Sequence, residues 1–152
     1  MLSIFKKKPS VSQADQQKIT SAIGAAEKET TGEIRVFIEN KCPEKEPLVR
    51  AKQVFAQLDM HKTEARNAII IYVALQDRKF ALFGDKAIYE LAGGPVFWEA
   101  AADELKGHLK RNELADGIAN CIKKLGAALA QQFPASKEAN KNELPDDIVF
   151  GN

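Results

Sequence analysis

Apolar and polar positions follow two rhythms along this chain, and the places where the rhythm changes mark its elements. Ile19, Ala22, Ile23 and Ala26 recur at helical spacing behind Ser12 and Asp15, predicting a capped helix that runs to Thr30-Thr31-Gly32. Glu33-Ile34-Arg35-Val36-Phe37-Ile38-Glu39 then alternates, with Ile34, Val36 and Ile38 forming one buried face opposite a mixed one, as in a strand. Pro47 suits the first turn of a second helix, whose Leu48, Ala51, Val54, Phe55 and Leu58 make the cleanest amphipathic stripe of the first half. Ala68-Ile69-Ile70-Ile71-Tyr72-Val73-Ala74-Leu75 has no polar break, which predicts a central strand covered on both faces. Gln76-Asp77-Arg78 turns the chain, and Lys79-Phe80-Ala81-Leu82-Phe83 returns as its antiparallel partner, closed by Gly84-Asp85.

Helices follow. A short one from Lys86 is stopped by Gly93-Gly94, and Pro95 restarts another with Phe97, Ala100, Ala101, Leu105 and Leu109 on one face. The last carries Leu114, Ile118, Ile122, Leu125, Leu129 and Phe133, and Pro134 ends it. Phe97 and Trp98 read as packing residues beside Pro95. A strand–helix–strand unit makes its strands parallel through a right-handed crossover. The expected fold is therefore α/β: an αβα three-layer sandwich with a small mixed sheet and helices on both faces. Residues 1–11 read as a flexible leader, 12–134 as the domain, and 135–152 as a polar C-terminal tail. Ile148-Val149-Phe150 in that tail is a candidate to dock on the domain or on another protein.

Charge narrows the partners. Lys plus Arg total 22 against 21 for Asp plus Glu, so no bulk field favours nucleic acid or an anionic membrane. Ile4-Phe5-Lys6-Lys7-Lys8 is neither a secretory signal nor enough for a stable membrane anchor, and no run reaches the roughly 18 apolar residues of a span. A cytoplasmic location is expected. Cys42 and Cys121 show no zinc spacing and no nearby His pattern, so they read as free thiols, with Cys121 a small core residue. His61 and His108 read as solvated surface. Walker, Gly-x-Gly-x-x-Gly, EF-hand and Gly-x-Ser-x-Gly motifs do not occur.

Chemistry enters only through topology. With these strands, Glu33, Asp59, Arg66, Asn67 and Asp85 fall at one rim of the sheet, and Glu39, Asn40, Asp77 and Arg78 at the other. Oxygen-rich groups of this kind suit a hard cation such as Ca²⁺. They also suit metal-assisted hydrolysis of a phosphate ester, with Arg66 and Asn67 on the phosphate. In the plainest reading, Glu33 or Asp85 pairs with Arg66 and only fixes the strand ends.

Three segments taken together resemble the TPM domain family: Thr31-Gly32-Glu33-Ile34-Arg35-Val36, Arg66-Asn67-Ala68-Ile69-Ile70-Ile71-Tyr72-Val73-Ala74, and Asp77-Arg78-Lys79-Phe80-Ala81-Leu82-Phe83-Gly84-Asp85. The likeness covers roughly residues 14–133, and the tail Lys141-Asn142-Glu143-Leu144-Pro145-Asp146-Asp147-Ile148-Val149-Phe150-Gly151 resembles the ending of short bacterial members. The resemblance implies an αβα sandwich, and either calcium binding or acid phosphatase activity. Many members carry Asp-Asn-Gly where this chain has Arg66-Asn67-Ala68, so Asn67, the Gly84-Asp85 turn and Glu33 are the positions carried over. The expectation is a non-catalytic accessory or interaction domain with a weak Ca²⁺ site, Glu33, Asp59 and Asp85 being the metal ligands. A metal-assisted phosphomonoesterase is the alternative. A metal-free protein–protein adaptor working through residues 144–150 is the third option.

Overall fold

The computed structural model describes residues 9–136 and 147–151. Helix α1, Gln13–Glu27, begins where the Ser12 hydroxyl accepts the Asp15 N–H at 3.1 Å, the cap that the sequence announces. It ends three residues short of Thr30, because Thr30 bridges to Pro134 and Thr31 N–H donates to the Phe133 carbonyl. Strand β1 is Glu33–Glu39, α2 is Pro47–Gln57, and Met60–Lys62 forms a single 3₁₀ turn. Strands β2, Ala68–Ala74, and β3, Lys79–Gly84, make the expected hairpin. Helices α3, Lys86–Leu91, α4, Gly94–Lys110, and α5, Leu114–Gln132, follow, and Val149–Phe150 adds a short strand, β4.

The sheet order is β3-β2-β1-β4, with β1 parallel to both β2 and β4, and β3 antiparallel to β2. Alternation decides the layers. Ile34, Val36, Ile38, Ile69, Ile71 and Val73 face one core shared with α1, α4 and α5. Phe37, Ala68, Ile70, Tyr72 and Ala74 face the other, closed by Ala51, Val54 and Phe55 of α2. The αβα sandwich is the fold.

Three readings change, the first being Leu48, expected on the apolar stripe of α2 but exposed there. The mixed face of β1 is buried throughout, because a strand paired on both edges and roofed on both faces has no solvent side. On α4, Trp98, Ala101 and Leu105 are the buried residues, while Ala100 is exposed. Trp98 lies over Gly84, where a Cβ would come within 2.7 Å of its ring, so that position accepts only glycine without a shift. The tail's Ile148 is buried in the domain's own core, and Gly151 N–H donates to the Ile38 carbonyl at 2.8 Å. Residues 1–8 of the expected leader, and 137–146 and 152 of the tail, lie outside the described residues.

Candidate functional site

The rim where β1 and β2 begin and β3 ends is built by register. Glu33 stands opposite Ala68, and the Asp85 N–H donates to the Ala68 carbonyl, so β2 carries its neighbours Arg66 and Asn67 between the two acids. Glu33, Asn67 and Asp85 are all buried, at 1%, 1% and 4% exposure. Asp85 caps α3 by accepting the Lys86 N–H, and its two oxygens take the Arg66 guanidinium fork at 2.7 and 2.9 Å. That hydrogen bond raises the Arg66 pKa above its ordinary value. Arg66 reaches Asp85 from a left-handed turn, φ 53°.

Asp59 behaves differently. It sits exposed, also in the left-handed region, and pairs with Lys62 at 3.4 Å. Among the described residues, no three His, Cys, Asp or Glu side chains gather closely enough to hold a metal between them. The fold thus joins Arg66 to Asp85 and leaves Asn67 and Glu33 buried at the same rim, while Asp59 has its own partner.

Neither polar atom of the Asn67 amide has a hydrogen-bond partner, and the buried Thr63 hydroxyl, in the same loop, has none either. Buried polar groups of folded proteins are nearly always satisfied, so such orphans mark a place for water or an ion. Thr63 has no sequence signal; it belongs to the rim only because Arg66 N–H folds back onto its carbonyl.

At the other rim Glu39, expected there, gathers two partners that patterning did not single out, Arg50 and Tyr72. Glu39, 4% exposed, accepts two bonds from Arg50, at 2.8 and 3.0 Å, and one from the Tyr72 hydroxyl at 2.5 Å. Burial, then the bond to Glu39, drives the Tyr72 pKa far above the usual phenol range. Arg50 comes from the polar side of α2, and its pairing with a strand-end acid is tertiary information. Asp77 of that rim turns to the Cys42 N–H, and His108, read as solvated, is half-buried and bonded to Glu113.

The TPM domain model matches residues 7–128. The chain is 35% identical to the BA42 protein of the psychrophilic bacterium Bizionia argentinensis, whose solution structure superposes with a TM-score of 0.83 over 93% of this chain and 95% of that one. The N-terminal domain of cg2496 from Corynebacterium glutamicum, 16% identical, shares the fold with a TM-score of 0.64 over 84% of this chain and 79% of its own. No curated protein matches the chain. With most of its length inside the family model and a one-third-identical structural relative along nearly all of it, this chain belongs to the TPM domain family.

Proposed function

We propose that the chain is a non-catalytic accessory domain that binds a divalent cation of the Ca²⁺ type weakly at the β1–β2–β3 rim. The Glu33 carboxylate and the Asn67 amide oxygen would be the protein ligands, with Asp85 added when Arg66 lets it go. The observation carrying this reading is Asn67, a fully buried amide with no partner for either polar atom. Leaving such a group unsatisfied costs about 1–3 kcal/mol, so a ligand that engages it is favoured by that much before any charge is counted. An amide oxygen beside carboxylates is hard-cation chemistry, water completing the shell and serving the amide N–H₂. Weak binding follows from Arg66, which competes for Asp85, and from Lys62, which holds Asp59.

Titration with CaCl₂ while following backbone amides tests it. Saturable shifts at Glu33, Asn67 and Asp85, lost in Glu33→Gln and Asn67→Ala, are expected. An unchanged spectrum at millimolar Ca²⁺ would end the proposal. The phosphomonoesterase alternative asks more, since Arg66 must exchange Asp85 for phosphate. It predicts turnover of a chromogenic phosphomonoester that vanishes in Asp85→Ala.

A further inference from the structure

Where β2 turns into β3, the sheet meets the α4–α5 corner around a pocket of about 480 Å³. Its floor is apolar: Leu75, Phe80, Leu109 and Leu114 are half-buried and pack on the larger core. Its mouth is basic. Arg78 and Lys79 from the hairpin, and Lys106 and Lys110 from successive turns of α4, line it, and no carboxylate does among the described residues. None of these four cations has an ion-pair partner among the described residues, although the chain as a whole carries only +1. Asp103 stands one turn before Lys106 on α4 without lining the pocket, and the other acids nearby are engaged elsewhere. Asp77 accepts the Cys42 N–H, Glu113 is held by His108 and Arg111, and Asp116 by Lys18.

We infer that this pocket binds an amphiphilic anion, a molecule with one carboxylate or phosphate head and a compact apolar body. The body matches the leucine and phenylalanine floor, and the volume falls in the range of roughly 300–1,000 Å³ typical of small-molecule sites. The head matches four cations of like charge around the mouth, so binding offsets their mutual repulsion as well as adding an attraction. The lysine stems cover the body while their ammonium groups stay at the water boundary with the head. This site lies where the β2 strand ends, away from the rim of Glu33 and Asn67 at its start, and stands independently of the cation reading.

Four probes on the full chain separate the contributions. Octanoate and phenyl phosphate carry a body with each kind of head; octanol has a body alone, and inorganic phosphate a head alone. Saturable amide shifts at Leu75, Phe80 and Leu109 are expected with octanoate, phenyl phosphate or both, about tenfold tighter than with the two incomplete probes, a difference that a single good head-group contact supplies. The affinity should fall with added salt and drop about tenfold in the Lys106→Glu, Lys110→Glu chain, whose exposed substitutions leave the core untouched. Octanol or inorganic phosphate binding as tightly as the complete probes overturns the inference. So does a charge-reversed chain that binds like the original, or the absence of any saturable shift.

Discussion

Two arginine–carboxylate pairs look alike on paper and differ in what surrounds them. Arg50 and Glu39 are both largely enclosed, at 16% and 5% side-chain exposure, and Tyr72 completes the acid's bonding. Truncating one member of a buried pair strands the other, so Glu39→Ala should cost about 3–5 kcal/mol. Tyr72→Phe removes one hydrogen bond and leaves Arg50 in place, and should cost about 1–2 kcal/mol. Urea midpoints decide the order; equal losses would show that Glu39 is not the centre of the group. Arg66 is 42% exposed and Asp85 keeps the Lys86 N–H when the arginine goes. Arg66→Ala should therefore leave the midpoint nearly unmoved and tighten Ca²⁺ binding, since Asp85 is released to the rim. Unchanged or weaker Ca²⁺ binding in that variant would remove Asp85 from the ligand set. Cys121 offers a third single-residue test. Burial pushes its thiol from 9.0 up to about 12, so the folded chain holds that proton after the unfolded one has lost it. Its share of the stability is complete below pH 9.0 and is lost progressively as the pH climbs to about 12, a loss that Cys121→Ala should reduce in alkaline denaturation.

At the scale of elements, the last strand shows what periodicity misses. Four of the helices and the first three strands announce themselves because each buries a repeating face long enough to count, as Leu114, Ile118, Ile122, Leu125 and Leu129 do on α5, whereas α3 buries only Ile88 and is marked by its Gly93-Gly94 stop. Strand β4 has two residues, too few for any rhythm, and its partner β1 lies more than a hundred residues earlier. What holds it is tertiary. Ile148 fills the core, Val149 and Phe150 pair with Phe37 and Ile38, and Gly151 sits where a Cβ would meet the Phe37 ring at 2.6 Å. Arg35, buried on β1 with no acceptor for its Nε, lies in the field of Glu27, Glu33 and Asp147, so the tail adds a third carboxylate to those around this arginine. Few contacts fix this strap, and weakly held segments open locally at less cost than the whole fold. Ile148→Asp should speed hydrogen exchange at Phe150 and Gly151 by orders of magnitude while exchange in β2 stays slow. Equal acceleration in β2 would mean that the strap is part of the cooperative core. The same logic explains the site. Glu33 and the Arg66–Asp85 neighbourhood were readable because strand ends fix rims, whereas the Thr63 and Asn67 orphans depend on how one loop folds back.

Viewed whole, the near-neutral chain is a molecule with separated functions for its charges. Buried acids with arginine partners fix the strand ends, free cations gather at the α4–α5 corner, and exposed pairs tie the helical layer together. The last group contributes to the response to acid. Lys18 of α1 pairs with Asp116 of α5, and His108 and Arg111 hold Glu113 at the turn between α4 and α5. The hydrogen bond from His108 holds the Glu113 carboxyl below its ordinary 4.5, and the one from Lys18 holds Asp116 below 3.8. Both folded pKa values are depressed, so the unfolded chain binds these protons first. The stability they contribute is present above 4.5 and 3.8 and is lost as the pH falls through the lower folded values. Because both pairs are open to water, salt should mimic acid and weaken them. An Asp116→Asn chain should accordingly melt lower than the original at neutral pH and low salt. The gap should close as the pH drops below 3.8 or the salt rises. A gap that stays constant with pH would place the cost of the substitution in lost packing between α1 and α5 instead of in the charge pair.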